Sequence, residues 1–356
     1  MRSKRILITG LSTFWGGRLA QTIERDPEVE CVIGVSPEDP TCELERTEFV
    51  RVGTQHALLR RIVDAAEIDT VVDTRLVVDS LGTSPRAAHE ANAIGTMNIL
   101  TACGGPDSPV RKVVFKSSAH YYGCERDDPA FFTEDMQRPH PPRTRLEADI
   151  VEAEQAVEGF AKRNPDVTVT VLRFANTLGP DLSTSHTVLF DLPVVPGILG
   201  FDPRYQFIHE DDLVEALRHA VTNDLPGIYN AAADGVLVLS EIASLLGKPL
   251  APVLLPWGTG LSAGALRPLG VRVPAEVLQQ LRYGRGLDNR KLKASGLRLA
   301  RTTRETASAY AEALRIKPLL SSGGTGYRYE REVEEFLRWS PHVRRAAGES
   351  EPKPAV

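Results

Sequence analysis

Three side chains that can handle protons follow one apolar segment in the first half of the chain. The segment 112–117 has the apolar centre of a buried strand, and Ser118, His120 and Tyr121 come directly after it. Open α/β sheets place their sites beyond the carboxyl ends of the strands. We therefore predict these three residues as candidate acid–base groups. Two alternatives stay open: His120 facing solvent, and Ser118 inert because a serine without an adjacent base is no nucleophile.

A turn containing glycine near the start of the chain predicts phosphate binding. The apolar residues 6–8 lead into Gly10, and Gly16 follows at the start of a helical pattern. The backbone N–H groups near Phe14 to Gly16 are expected to face a pyrophosphate, which the positive end of a helix attracts. Thr13 stands where this fingerprint has its middle glycine, so a side chain narrows the approach while its hydroxyl can donate to a phosphate. The alternative is an empty structural turn.

The residues that follow the second apolar segment, 31–35, are candidates for binding the adenosine ribose of a dinucleotide. The residue after such a strand is often an acid that binds this ribose. Ser36 occupies that place here, with Glu38 and Asp39 close behind it, and no arginine or lysine follows closely to meet a 2′-phosphate. This favours NAD over NADP. The two acids as solvated turn residues are the alternative.

Composition limits the classes of partner. The chain has 356 residues, of which 42% are apolar and 25% charged, and its formal net charge of −5 comes with no long basic block. Nucleic acid is therefore not expected as a partner. The four cysteines are scattered without metal-site spacing, so we expect no metal. Neither a signal peptide nor an apolar segment long enough to span a bilayer occurs, and we expect a cytoplasmic protein without a membrane partner.

Strand and helix patterns alternate along the first two thirds of the chain. This alternation predicts an α/β fold with a Rossmann-type, doubly wound parallel sheet. Residues 176–204 are rich in proline and glycine and predict a loop-dominated insertion, after which Asp211 or Asp212 is expected to cap a helix. The predicted strands are 6–8, 31–35, 49–52, 70–73, 112–117 and 167–173, and the predicted helices include 14–25, 55–66, 86–103 and 144–163.

Several landmarks, taken in order, resemble one known family. They are Thr9-Gly10, Asn92 with Gly95-Thr96, residues 117–123 and 172–180, residues 207–209 with Asp212, Tyr229-Asn230 and residues 287–292. The chain thus resembles the extended short-chain dehydrogenase/reductases in an atypical form, and more narrowly the NAD-dependent epimerase/dehydratase family that acts on nucleotide sugars. The resemblance covers about residues 4–315.

This resemblance implies an organisation of the chain. It implies a domain that binds NAD or NADP, a smaller C-terminal lobe that closes over a small substrate such as a nucleotide sugar, and a homodimer packed through helices 86–103 and 144–163. The expected domains are 1–175 plus about 205–232 for the dinucleotide, 176–204 and 233–318 for the substrate lobe, and 319–356 as linker, short helix and disordered tail.

The resemblance also implies site residues. Arg75 replaces a usually small residue after the fourth strand, so its charge is expected near the cofactor phosphates. Including the turn and ribose positions above, the cofactor-binding residues are Thr9, Gly10, Thr13, Phe14, Trp15, Gly16, Ser36, Arg75, Leu76, Asn92, Ser117 and Phe174, and the substrate-binding residues are Asn176, Arg204 and Arg282.

The family's tyrosine and lysine, four residues apart, are missing. In the family the tyrosine moves the proton of the sugar hydroxyl, while the lysine holds the nicotinamide ribose and lowers the tyrosine pKa. Alignment places Pro141 in the tyrosine position and Arg145 in the lysine position, and no tyrosine occurs between Tyr122 and Tyr205. Arg145 can still hold a ribose or phosphate, and we include it among the candidate catalytic residues, but arginine keeps its own proton.

Two functions follow from this departure. The first is a protein that binds NAD or NADP without standard dehydrogenase chemistry and acts as a sensor or regulator. The second is an active nucleotide-sugar epimerase, dehydratase or oxidoreductase that uses a substitute acid–base group near residues 118–122. A scaffold that has lost its ligand is the third alternative.

Overall fold

Seven parallel strands form the centre of the molecule. The computed structural model describes residues 3–53, 55–257 and 273–316. The strands are β1 (Arg5–Thr9), β2 (Cys31–Ser36), β3 (Thr47–Arg51), β4 (Thr70–Asp73), β5 (Lys112–Ser118), β6 (Thr168–Phe174) and β11 (Gly227–Ala231). They pair in the order β11-β6-β5-β4-β1-β2-β3, and every pairing is parallel. The predicted Rossmann-type sheet is confirmed.

Helices cover both faces of this sheet. On one face lie α1 (Phe14–Ile23) and α7 (Glu210–Thr222), and on the other lie α2 (His56–Ala65), α4 (Gly95–Cys103) and α5 (Arg145–Arg163). Each set of helices packs its apolar stripe against the sheet and closes a separate core. Because both faces are covered, the strands are apolar on both sides, as the sequence indicated.

The predicted helix 86–103 contains a widened turn. It consists of α3 (Pro85–His89), a π-helical segment (Glu90–Ile94) and α4, which follow one another without a break. The buried Asn92 lies in the widened segment, where its side-chain oxygen accepts from the Val77 N–H and its amide donates to the Val77 carbonyl, both at 2.8 Å. Asn92 therefore fixes the loop that follows β4, and its polar atoms are used by the backbone there.

The prediction of a loop-dominated insertion at 176–204 is wrong. Thr184 accepts from the Thr187 N–H at 3.2 Å, and the Thr187 hydroxyl accepts from the Thr184 N–H at 2.7 Å, so a capping box starts a helix that the prolines and glycines concealed. The segment holds β7 (Asn176–Leu178), α6 (Ser185–Asp191), β8 (Val195–Ile198) and the start of β9 (Arg204–Tyr205).

Three two-stranded pairs complete the part of the chain around this insertion. β7 pairs with β10, β9 with β12 and β8 with β13. Further elements among the described residues are β10 (Phe207–His209), β12 (Leu237–Val238), α8 (Leu239–Leu246), β13 (Leu250–Leu254), α9 (Ala275–Tyr283) and α10 (Arg290–Ala294).

The cap of α7 differs from the expected one. The helix begins at Glu210, and the ring Nδ1 of His209 accepts from the Asp211 N–H at 3.2 Å. Asp212 instead accepts from the backbone N–H groups of Ala300, at 2.7 Å, and Arg301, at 3.2 Å. The prediction of Asp211 or Asp212 as the cap is wrong because the helix starts earlier than the acidic run suggested.

Residues Met1–Tyr310 form one compact unit, and a second unit begins at Ala311. Of this second unit, residues 311–316 are described, and they are helical. The predicted linker, helix and tail at 319–356 lie outside the described residues. The four cysteines are free thiols. Within the described ranges, each helix is too short or too polar to cross a membrane.

Candidate functional site

The turn between β1 and α1 has the backbone geometry that a dinucleotide diphosphate requires. Gly10 has φ +82°, and a Cβ on Gly16 would lie 2.2 Å from the Gly10 carbonyl oxygen. The Thr13 hydroxyl caps α1: it accepts from the Gly16 N–H at 3.1 Å and donates to the Gly10 carbonyl at 2.7 Å. The N–H groups of Phe14 and Trp15 find no acceptor within the described residues. They fit an anion at the positive end of the helix.

Thr13 therefore changes the expected phosphate contacts. The Gly16 N–H, one of the groups expected to face a pyrophosphate, is already used by the Thr13 hydroxyl. A threonine side chain was expected to narrow the space in which a diphosphate approaches the backbone. This effect is reduced because the Thr13 hydroxyl points into the helix cap and is hydrogen-bonded there. Two free N–H groups remain, which is enough for a diphosphate contact through the backbone.

Arg75 lies across this turn. A Cβ on Gly10 would lie 2.5 Å from the Arg75 Cγ. Two guanidinium nitrogens of Arg75 donate to the buried Asp73 carboxylate, at 3.0 and 2.9 Å, and the Thr9 hydroxyl donates to the same carboxylate at 2.9 Å. Arg75 thus places a positive charge at this turn that Asp73 partly balances, and its contact with the cofactor phosphates stays a prediction. Leu76, in contrast, belongs to the core beneath α2, α4 and α5.

The end of β2 lies next to a cation, Arg51, that is distant from it in the sequence. The Ser36 hydroxyl hydrogen-bonds to that of Ser12 at the β1 turn. Arg51, at the end of β3, lies opposite Ser36 in the strand register and donates to the Pro37 carbonyl at 3.3 Å and to the exposed Asp39 carboxylate. No basic residue follows Ser36 closely in sequence, but Arg51 comes near it in space because neighbouring parallel strands end at the same edge of the sheet.

A cavity of about 240 Å³ lies at the carboxyl ends of β5 and β6, beside the first turn of α1. This is the edge at which open α/β sheets bind their ligands. Its lining includes the predicted residues Phe14, Trp15, Ser117, Ser118, His120, Phe174 and Asn176, together with Asp79, Lys116, His186 and Glu276, which sequence reasoning missed.

Lys116 and Asp79 face this cavity with perturbed acidities. Burial lowers the pKa of Lys116 to about 8, against the attraction of Asp73 and Asp79, which favours the charged form. Burial raises the pKa of Asp79, and the nearby Glu276 raises it further. Groups that titrate closer to neutrality than usual and line a cleft are typical of functional sites. From the sequence, Lys116 is predicted only as part of a strand, because it lies within the apolar run of β5.

Two histidines in the cavity wall are neutral at pH 7. Burial, followed by the positive charge of Arg285, lowers the pKa of His120 well below its ordinary value and lowers that of His186 to about 4. The His186 Nε2 has no hydrogen-bond partner among the described residues. The alternative that His120 faces solvent is wrong, since its side chain is buried.

The protein is expected to lose stability as the pH falls from about 6.5 towards 4. In this range unfolded histidine takes up a proton that folded His186 refuses, so the folded state loses about 3 kcal/mol from this residue alone. Urea unfolding at several pH values measures the slope, and His186→Gln should flatten it. The control His56→Gln, at an exposed imidazole, should leave the slope unchanged. An equal slope in wild type and His186→Gln contradicts this prediction.

Tyr121, Arg145, Arg204 and Arg282 are among the predicted site residues that do not line this cavity. The Tyr121 ring stacks on the Arg173 guanidinium at 3.5 Å and faces a separate groove of about 430 Å³. Arg145, the first residue of α5, and Arg204, in β9, are exposed. Arg282 donates to the Pro256 carbonyl and lies beside two aromatic rings. Tyr121 and Arg145 therefore do not lie with the other two candidate acid–base groups, and the substrate contacts expected of Arg204 and Arg282 stay predictions.

The segment in front of α5 shows what replaces the family's tyrosine. Pro141 is exposed. The buried Arg138 donates to the carbonyls of His120, at 3.0 Å, and Tyr121, at 3.1 Å, and it forms an ion pair with Glu147 of α5. This Arg138–Glu147 clasp closes the space between the loop after β5 and the start of α5. Within the described ranges, no tyrosine lines the cavity.

Two of the predicted cavity residues have internal partners. The Ser117 hydroxyl donates to Glu154 of α5, and the Asn176 amide donates to the side-chain oxygen of Gln280 at 2.8 Å. The Ser118 oxygen accepts from the His120 N–H at 3.2 Å, and its hydroxyl donates to none of the described residues. Because Ser118 also lines the cavity, its hydroxyl can donate to a ligand there.

Three ligand-type side chains also meet outside the cavity. Among the described residues, His89, Asp149 and Glu152 bring one ligand atom each within 4.8 Å of one another. His89 Nδ1 and Asp149 Oδ1 are 2.7 Å apart, and this contact joins α3 to α5. Since the bond between the first two residues explains their approach, the group receives no metal assignment.

The parallel sheet, the glycine turn and the cavity at the strand ends together define a dinucleotide-binding α/β protein of the Rossmann type. A comparison with known families agrees with this class. The model of the NAD dependent epimerase/dehydratase family matches residues 6–232, which is more than half of the chain. The chain belongs to the NAD dependent epimerase/dehydratase family.

Relatives and solved structures agree with this assignment. An uncharacterized protein of Mycobacterium tuberculosis is 32% identical over 326 residues, covering 89% of this chain and 86% of that protein. A structure of MoeE5 with UDP-glucuronic acid and NAD has a TM-score of 0.66 at 19% identity and covers 88% of this chain and 99% of its own. UDP-glucuronic acid 4-epimerase from Bacillus cereus with UDP-glucuronic acid and NAD gives 0.65 at 16% identity, over 87% and 99%. At these identities the two structures support the fold.

Proposed function

We propose that this chain is an NAD-dependent enzyme that acts on a nucleotide sugar or a related hydroxyl compound, with an acid–base group other than the family's tyrosine. The observation that carries the proposal is the cavity beside the glycine turn, because it holds Lys116 and Asp79 with perturbed acidities next to Ser118. Similar structures contain NAD with UDP-glucose or UDP-glucuronic acid. NAD, when bound, supplies a hydride acceptor.

The residues divide between holding the cofactor and serving the substrate. The free N–H groups of Phe14 and Trp15 would hold the diphosphate, and Arg75 would add positive charge at the turn. The Ser118 hydroxyl would donate to a substrate oxygen. The substrate lobe expected at 176–204 and 233–318 stays a proposal. The unpaired cysteines agree with a reducing, cytoplasmic compartment.

NAD is proposed as the preferred dinucleotide. Ser36 leaves the ribose position uncharged, and Asp39 draws the Arg51 guanidinium to itself. A 2′-phosphate would have to compete with Asp39 for this cation. Calorimetric titration should give a lower Kd for NAD⁺ than for NADP⁺, and Asp39→Asn should narrow the gap by releasing Arg51. Tighter binding of NADP⁺ by the wild type would reverse this assignment.

Two measurements test the proposed function. Titration calorimetry with NAD⁺ and NADH asks whether the dinucleotide binds. Incubation with NAD⁺ and either UDP-glucose or UDP-glucuronic acid, followed by NADH absorbance and mass spectrometry of the sugar nucleotide, asks whether chemistry follows. Binding with formation of a new sugar nucleotide supports the proposal. Failure of the wild type to bind either form of NAD contradicts it.

The role of sensor or regulator is the second candidate. The observation that favours it is that the described part of the cavity lining contains no phenol, while the Arg138–Glu147 clasp occupies the region in front of α5. Such a protein would bind NAD⁺ and NADH with different affinities and would convert no substrate. Different protease cleavage patterns with the two forms, without turnover, would favour this role over the enzymatic one.

We also propose that the protein forms a homodimer through α4 and α5. The outer faces of these helices border a groove of about 720 Å³, which includes the exposed Met97 and the small residue Gly159. An apolar side chain and a glycine allow a second helix pair to approach closely. Light scattering after size exclusion should give twice the chain mass, and Gly159→Glu should give the mass of one chain. A wild-type monomer would contradict the proposal.

A further inference from the structure

Two lysines on β5 are equally buried, but the ammonium of one has hydrogen-bond partners and that of the other has none among the described residues. The side chains of Lys112 and Lys116 lie on the same face of the strand, and each residue is 2% exposed. The Lys112 ammonium donates to the carbonyls of Val221 and Asn223 and pairs with Asp224, each at 3.0 Å. The Lys116 ammonium makes no hydrogen bond or ion pair with any described residue, and it lies in the cavity wall. Lys112 is structural, whereas Lys116 has an unused amine.

The groups around Lys116 leave it unpaired. Its Nζ lies 5.5 Å from the centre of the Trp15 ring. Two acids attract it, Asp73 from β4 and Asp79 from the following loop, but neither forms an ion pair with it, and Asp73 is bound to Arg75. A buried amine next to an open cavity, with acids near but not in contact, is poised to exchange a proton with a ligand.

Other titratable groups face the same space. Glu276 of α9 accepts from the Ser80 N–H and hydroxyl, at 2.8 and 2.9 Å, so its carboxylate has partners. His120 and His186 also line the cavity and are uncharged at pH 7, and Asp181 is a further acid of this lining. Among the described residues, no acid makes direct contact with the Lys116 ammonium, although Asp73 and Asp79 attract it.

We propose that Lys116 is the proton-transfer residue of this site, in place of the tyrosine that the chain lacks. The inference rests on the proposed function. In the oxidative direction the neutral Nζ would accept the proton of a substrate hydroxyl, and NAD, when bound, would supply the acceptor for the hydride lost from the carbon that bears this hydroxyl. The O–H and C–H bonds would break, the carbonyl would form, and the proton would remain on Nζ as ammonium. The return step reverses each of these changes.

The acidity of Lys116 agrees with this role. An ordinary lysine has a pKa of about 10.4, so its neutral form is negligible at pH 7. With a pKa of about 8, roughly one tenth of Lys116 is neutral at pH 7, and half is neutral one unit higher. A rate that depends on the neutral amine should therefore rise with pH up to about 8 and then level off.

An NMR titration tests the inference without any substrate. Protein labelled with carbon isotope in the lysine side chains is titrated, and the Lys116 resonance is identified by its loss in Lys116→Met. We expect a midpoint of about 8 for Lys116, against about 10.4 for a lysine side chain in an unstructured peptide. A Lys116 midpoint near that of the peptide overturns the inference.

Kinetics separate the two levels of proposal. Lys116→Met and Lys116→Arg should bind NAD⁺ within about 3-fold of wild type, while NADH formation from UDP-glucose or UDP-glucuronic acid falls by about 100-fold or more in both. Arginine keeps the charge but cannot give up its proton, so rescue by Lys116→Arg would overturn the inference. If the wild type binds NAD⁺ and converts substrate, and Lys116→Met is equally active, the inference about Lys116 is wrong while the proposed function stands. Wild type that binds no NAD overturns the proposed function first.

Discussion

Replacing Glu154 with alanine is expected to lower the free energy of unfolding by about 3–5 kcal/mol. Glu154 and Arg173 form an ion pair at 2.6 Å with both side chains almost fully buried, and Glu154 also accepts from the Ser117 hydroxyl. The Arg173 guanidinium is packed against the rings of Tyr121 and Tyr122. Without Glu154 its charge would remain buried and unpaired. Urea unfolding followed by circular dichroism measures the loss.

The same helix offers a matched control for this prediction. Glu158, one turn further on, pairs with Lys162 where both side chains are largely exposed, so Glu158→Ala should change stability little. The double variant Glu154→Met with Arg173→Met removes both charges and should recover part of the loss. If Glu154→Ala unfolds at the same urea concentration as Glu158→Ala, the buried pair is not what holds α5 to the sheet.

Gly16→Ala is expected to weaken NAD⁺ binding by about 100-fold or more, which corresponds to about 3 kcal/mol. The added Cβ would lie 2.2 Å from the Gly10 carbonyl oxygen and 2.8 Å from the Gly10 carbonyl carbon. The start of α1 would have to move away from the turn. That movement would break the Thr13 cap and displace the N–H groups of Phe14 and Trp15. Titration calorimetry of the variant with NAD⁺ gives the change in Kd.

A second glycine controls for the substitution itself. Gly104 has an ordinary backbone conformation, and a Cβ there would meet its nearest neighbour, the Phe160 ring, at 3.4 Å. Gly104→Ala should bind NAD⁺ like wild type. Circular dichroism must show that Gly16→Ala is folded. A folded Gly16→Ala variant with wild-type affinity would mean that the dinucleotide does not use this turn.

The sheet could be predicted from the sequence because its signals are local. Residues 70–73 were predicted as a strand and form β4 within the same bounds, and the glycine turn lies where its spacing placed it. The insertion at 176–204 could not be predicted, since the pair Thr184 and Thr187 starts a helix among residues that usually break one. The prediction of the α7 cap was wrong for a similar reason, because a histidine ring nitrogen accepts from the backbone there.

The candidate site was only partly visible in the sequence. Ser118 is the last residue of β5 and His120 follows it by two residues, so strand position was enough to place them in the cavity wall. Lys116 could not be predicted as a site residue from the sequence. It lies within the apolar run of a strand, and only the structure shows which groups surround its amine. His186 and Glu276 come from distant segments that only tertiary packing brings to this cavity.

The Arg138–Glu147 clasp has a consequence for any attempt to engineer the family's usual pair into this chain. Tyrosine at Pro141 and lysine at Arg145 would stand at exposed positions, while Arg138 still holds the loop after β5. The two substitutions would therefore leave the phenol outside the cavity. Engineering of the ordinary reaction has to begin with the clasp, by changing Arg138 and Glu147 together so that neither charge is left without its partner.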